Sequence, residues 1–218
     1  MHPVLRASLI GCLLMPIKKP YLMNMKTKFF PAVLVLSLLF LTACNKPDNT
    51  KADPDTVTLT DVDVSAYDQW VYLSFESGTP LALNVNEEAP EKWDIALHRE
   101  NVKTNQGAAL KSDAVSLAAL TELPSGEFTA DVMTDSTLIV DMSQMMQGIL
   151  GYQKSEINPV LNAWVSRSGM PPTYTVHKNV YVLRNKDGKY VKIQFSSYNN
   201  KEDKTGFATL SYIYPAFE

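Results

Sequence analysis

The sequence predicts an all-β domain with one short helix over residues 57–218. Three observations predict it. Short runs of aromatic and β-branched residues recur along the chain, each bounded by turn-forming residues. Asp187-Gly188 stands between two such runs, where a tight hairpin needs a residue at positive φ. A single segment carries apolar residues at helical spacing.

The elements follow in order. Trp70–Phe75 reads as a strand that stops at Ser77-Gly78. Trp93–His98 alternates Ile95 and Leu97 against Asp94 and Ala96. Lys111–Leu120 fits a helix or a strand. Ile157, Val160, Leu161 and Trp164 stand at i, i+3, i+4 and i+7, which predicts a helix over Asn158–Trp164 packed on a sheet. Asn158-Pro159 makes a cap and first-position pair, with Ser155 the alternative cap. Val180–Arg184 and Tyr190–Phe195 form the hairpin around Asp187-Gly188. Ala208–Tyr214 is the last strand, ended by Pro215.

The N-terminal residues are of another kind. Residues 1–44 hold five basic residues and no acidic one, while the rest holds 15 basic against 23 acidic, a net of −8. That balance argues against nucleic acid as a partner. Lys26 and Lys28 precede the apolar run Phe29–Leu41, and Leu41-Thr42-Ala43-Cys44 follows. About 13 apolar residues are short for a membrane span. Small residues before a cysteine match the cleavage pattern of a bacterial lipoprotein signal peptide. Residues 1–43 are therefore read as upstream residues and leader, with Met23 or Met25 as the start. Cys44 is the expected lipidation site, and 44–56 the lipidated cysteine and its flexible tether. The expected location is the outer membrane, lipid-anchored and surface-exposed, with shedding as a further fate. Cys12 and Cys44 are the two cysteines, so the domain itself has no disulfide and depends on its core.

Catalytic patterns are weak. No G-x-S-x-G, phosphate loop or H-E-x-x-H occurs, and the domain's two histidines, His98 and His177, are far apart. The sequence is read as non-enzymatic. Methionine is the unusual feature. Met142, Met145 and Met146 fall within five residues, and Met170 precedes Pro171-Pro172, with Gly148, Gly151 and Gly169 nearby. Two readings stand open: soft packing of a core, or a thioether site for a soft metal or haem iron.

Several blocks carry a resemblance. They are Tyr67–Gly78, Trp93–Arg99 and Val102–Asn105, then Pro172-Thr-Tyr174, Val180–Arg184, Asp187-Gly188, Lys192–Phe195, Tyr198 and Tyr212–Pro215. In this order they resemble the HmuY family of haem-binding lipoproteins of Bacteroidota, from about residue 57 to 215. The resemblance implies a compact HmuY-like β domain that holds haem b (iron protoporphyrin IX) between two loops. It implies haem taken from host haemoproteins and passed to a TonB-dependent outer-membrane receptor. In the histidine type of the family two histidines ligate the iron. The matching places here hold Met145-Met146 and Met170. The resemblance thus implies Met145 and Met170 as axial ligands, with Met146 in reserve for the first. Tyr152 and Trp164 are candidates to pack near the haem. His98 is read as structural, His177 as a surface strand residue, and Met142 as packing with Leu138 and Val140. The alternative function is a surface lipoprotein of the same fold that binds a protein or glycan without haem.

Overall fold

The computed structural model describes residues 55–134 and 138–217. The leader, Cys44 and nearly all of the tether lie outside the described residues. Two antiparallel sheets face each other across one core. The larger runs β1 (Thr56–Asp63), β16 (Thr205–Ala216), β15 (Tyr190–Asn199), β14 (Val180–Arg184), β6 (Ala108–Lys111) and β7 (Thr129–Ala130) in spatial order. The smaller runs β3 (Pro80–Asn84), β2 (Gln69–Leu73), β4 (Ile95–His98) and β5 (Asn101–Thr104). Three two-stranded ladders complete it: β8 (Val132–Met133) with β11 (Glu156–Ile157), β9 (Leu138–Asp141) with β10 (Gly151–Gln153), and β12 (Val165–Ser168) with β13 (Thr173–Val176).

Period-two alternation builds the layers. Tyr181 and Leu183 of β14, with Val191, Ile193 and Phe195 of β15, face Val71, Leu73, Ile95 and Leu97 of the smaller sheet in the main core. The opposite face of the larger sheet is covered too. There Val180 and Ile213 meet Leu117 and Leu120. This settles the ambiguous segment: β6 ends at Lys111, and a 3-10 turn, Leu117–Ala119, lies over the sheet's back. The back of the smaller sheet puts Trp70, Tyr72 and Ala96 against Leu138 and Val140 of β9. Lys103 Nζ sits 4.2 Å from the Trp70 ring centre and 5.2 Å from that of Tyr72, and burial lowers its pKa. Covered on both faces, β4 is buried at every position, so polar alternation is absent from it.

Several boundaries differ from the sequence reading. β4 begins at Ile95 rather than Trp93, β15 runs on to Asn199, and β16 begins at Thr205. Phe75 lies beyond β2, where its N–H donates to Asp94 Oδ2 at 2.8 Å. Pro215 does not end β16, which runs to Ala216; the register with β15 slips between Tyr190 and Lys192, where a residue without an N–H is tolerated. The expected helix over Asn158–Trp164 is one 3-10 turn, Leu161–Trp164. Ile157 belongs to β11, opposite Val132. The Asn158 N–H donates to the Val102 carbonyl at 2.8 Å, so the backbone there still bonds to a strand. Its side chain then caps the turn, accepting from the N–H groups of Val160 and Leu161. Val165 returns at once to extended backbone and begins β12.

The remaining hairpin follows the sequence reading. Gly188 takes φ 79° in the β14–β15 turn, and its N–H donates to the Asn185 carbonyl at 3.0 Å.

Candidate functional site

The turn between β4 and β5 forms the base of a cleft. His98, Arg99, Glu100 and Asn101 all line it, and each is tied to its surroundings. His98 is 2% exposed, and its ring lies 5.1 Å from that of Trp70. Its Nε2 donates to the Tyr67 carbonyl at 2.7 Å, while Nδ1 is buried without a partner among the described residues. Burial holds its pKa below the ordinary value, so the imidazole is neutral near pH 7. Arg99 takes φ 55°, a conformation that costs an L residue. Its guanidinium offsets that cost by donating to the Ser65 carbonyl at 2.7 Å and stacking 4.4 Å from the Tyr67 ring centre. The Glu100 carbonyl accepts from Trp164 Nε1 at 2.9 Å, and its carboxylate accepts from the Tyr198 hydroxyl at 3.3 Å.

The cleft has a volume of about 330 Å³. Two hairpins contribute to its walls. Leu138 and Ile139 come from β9, and Arg167, Pro172 and Tyr174 from β12–β13 and its loop. The first hairpin is rooted by Leu138 against Trp70 and Tyr72. The second is rooted in the main core by Val165 and Val176, with Tyr174 packed edge-on to Tyr198 at 4.9 Å.

The loops of these hairpins carry the methionines. Met145 opens a 3-10 turn, Met145–Gln147, between β9 and β10, and is 49% exposed. Met146 is 89% exposed. Met170 sits between β12 and β13 and is 90% exposed. The three thioethers therefore stand in the loops of two hairpins whose strands share one cleft. None of the three is among the residues lining it. Val132, Met133, Ile149 and Tyr152 on the adjoining segments are also exposed. So much exposed apolar surface on neighbouring segments marks a place of contact.

A sequence model of the HmuY family matches residues 66–212. The chain belongs to the HmuY family. Its fold is that of solved members. A candidate HmuY-like haem-binding protein from Bacteroides vulgatus is 37% identical, with a TM-score of 0.71 over 76% of this chain and 96% of that one. A candidate lipoprotein from Bacteroides fragilis is also 37% identical, with a TM-score of 0.70 over 75% and 91%. The apo HmuY analogue of Tannerella forsythia is 26% identical, with a TM-score of 0.64 over 72% and 95%. No curated protein sequence matches the chain.

Within the HmuY fold the other sequence candidates separate. Trp164 packs into the core. It is fully buried, stacked 4.4 Å from Phe195 and edge-on to Tyr198 at 5.4 Å, with its N–H spent on Glu100. Tyr152 is 54% exposed on β10 and free to make contact. His177 lies just past β13, with Nε2 3.1 Å from Ser166 Oγ. Met142 is half-buried beside a different cavity, lined also by Val85 and Val140. Tyr67, Arg99 and Tyr174 fell inside blocks of the family resemblance, but no chemistry singled them out. Arg167 fell outside every block.

Proposed function

We propose that this protein is a lipid-anchored haem carrier of the haemophore type, with Met145 and Met170 as axial ligands of haem b and Met146 in reserve. One observation carries the reading. In a member of the HmuY family, exposed thioethers occupy the loops of both hairpins that wall a shared cleft. The donor set suits haem iron. Thioether sulfur is neutral and soft, and it favours the ferrous state.

Met145 and Met170 would hold the haem, whose iron would supply a soft centre able to bind thioether donors. The chain's own residues supply the rest. Ile149 and Tyr152 beside the first loop, with Val132 and Met133 on β8, offer apolar surface that shields a flat ligand from water. Sulfur does not titrate in the ordinary range, so the grip is insensitive to mild acid, unlike that of a histidine. It is also a weak donor, which suits release to a TonB-dependent outer-membrane receptor after capture from host haemoproteins. Lipidation at Cys44 keeps the carrier at the membrane.

Haemin titrated into the protein, with and without dithionite, tests the assignment. The expected result is a low-spin ferrous spectrum that persists to about pH 5. Met145→Ala and Met170→Ala each degrade it, and the double substitution abolishes it. Loss of the spectrum on changing His98 or His177, with both methionine variants unaffected, overturns it in favour of histidine. For the anchor, Cys44→Ala should release the protein or block its processing; a variant that stays membrane-bound and fully processed refutes lipidation.

A further inference from the structure

We propose that Arg167 forms a carboxylate subsite in the cleft, which takes the acidic edge of a flat apolar ligand. The ligand's identity as a porphyrin rests on the haem-binding reading; the charge of the subsite rests on the cleft alone.

The ladder register places Arg167. It pairs with Tyr174, and Val165 pairs with Val176. Residues two apart on a strand share a face, so Val165, Arg167, Tyr174 and Val176 all stand on one side of the hairpin. At the root, Val165 and Val176 enter the main core. One step out, Tyr174 packs on Tyr198 and Arg167 lines the cleft beside it. A guanidinium thus stands, exposed, on the side of the strand that enters the core at its root, where it lines the cleft.

No partner among the described residues accounts for it. Arg167 has no hydrogen bond or ion pair among the described residues. The other charges of the cleft are engaged. Arg99 is held by Ser65 and Tyr67. The Glu100 carboxylate accepts from Tyr198, which turns it toward the core. The domain outside the leader is acidic, with 23 acidic against 15 basic residues, so a cation left without a carboxylate is not for want of one. An arginine fork with several free N–H donors at a concave site matches a carboxylate in two parallel hydrogen bonds. Haem and its metal-free parent carry such carboxylates at one edge of an otherwise apolar disc. An Arg167 contact would fix which edge enters the cleft while the sulfur-bearing loops hold the faces.

The test uses metal-free protoporphyrin IX and its dimethyl ester, with binding read by quenching of tryptophan fluorescence. The expected result is that Arg167→Gln weakens binding of the free acid about tenfold or more. The ester should bind the unsubstituted protein more weakly than the acid and be indifferent to Arg167→Gln. Arg167→Lys, which keeps charge but loses the fork, should fall between. Circular dichroism should be unchanged in both variants, since the side chain is exposed. Equal binding of acid and ester, or acid binding unaltered by Arg167→Gln, overturns the subsite while leaving methionine ligation standing. Arg167-dependent binding of the acid, with a ferrous haem spectrum indifferent to Met145 and Met170, supports the subsite and overturns the ligand assignment instead. Failure of the unsubstituted protein to bind either porphyrin overturns the subsite, while the ligand assignment is decided by the ferrous haem spectrum of the methionine variants.

Discussion

Trp164 and Met170 lie six residues apart and at opposite extremes of exposure, fully buried against 90% exposed. Both belong to the chain that forms the second hairpin. Trp164 closes the 3-10 turn before β12, and its ring fills the space between Phe195 and Tyr198. Its one polar atom is satisfied by Glu100. Met170 stands in the loop that β12 and β13 carry away from that root. The contrast separates two uses of apolar residues. At the root they secure the hairpin; at the loop they are left uncovered, which in water is a cost unless something else covers them.

If that division is right, substitution at the root should damage the fold, and substitution at the loop should damage binding alone. The largest effect is expected for Trp164→Ala. It removes the aromatic centre of the core and leaves the Glu100 carbonyl without its donor, for a loss of about 3–5 kcal/mol. Urea unfolding followed by circular dichroism measures it, and a loss below about 1 kcal/mol would break the comparison. Asn158→Ala comes next. It strips the cap from Val160 and Leu161 and the donors to Thr129 and Asp131, for about 1–3 kcal/mol on the same assay.

Acid sharpens the contrast between buried and exposed groups. Burial holds folded His98 below its ordinary value of 6.5, so the unfolded chain takes up the proton first. Stability from keeping His98 neutral is complete above about pH 6.5 and is lost as pH falls toward the lowered folded value. Melting temperature should therefore drop with acid across that window, and His98→Gln, whose amide can still donate to Tyr67, should flatten the slope. The ferrous haem spectrum of the fraction that stays folded should not change there.

The smallest effects on stability are expected at the loops. Met145→Ala and Met170→Ala should each shift unfolding by no more than about 0.5 kcal/mol, even as they degrade the ferrous spectrum. A loss as large as that of Trp164→Ala would make these methionines packing residues. Met142→Ala, half-buried beside Val85 and Val140, should leave the spectrum unchanged.

The hairpin around Asp187-Gly188 was legible because its two strands alternate cleanly and the turn residue announces itself. Ile157 was misread because its spacing to Leu161 and Trp164 fits a helix equally well. Only the long-range bond from Asn158 to Val102 and the pairing with Val132 decide for a strand. Trp164 stayed open for a related reason: an aromatic residue near a suspected site reads the same whether it faces ligand or core. The methionines could be noticed in the sequence because three crowd together and a fourth precedes two prolines, and their exposure explains why they broke the apolar periodicity. Arg167 could not be, since its place in the cleft follows from the register of β12 on β13 and from what Glu100 and Arg99 are already doing.

The uncovered loops also have a chemical lifetime. Peroxide and related oxidants reach thioethers in proportion to their exposure, so Met146 and Met170 should be converted to sulfoxides well ahead of half-buried Met142. Each conversion replaces a soft apolar sulfur with a polar S=O group. The same openness that readies these side chains for a partner makes them perishable. A molecule working where oxidants are released would age first at its loops, with its core intact, and would stay folded long after its sulfur was spent.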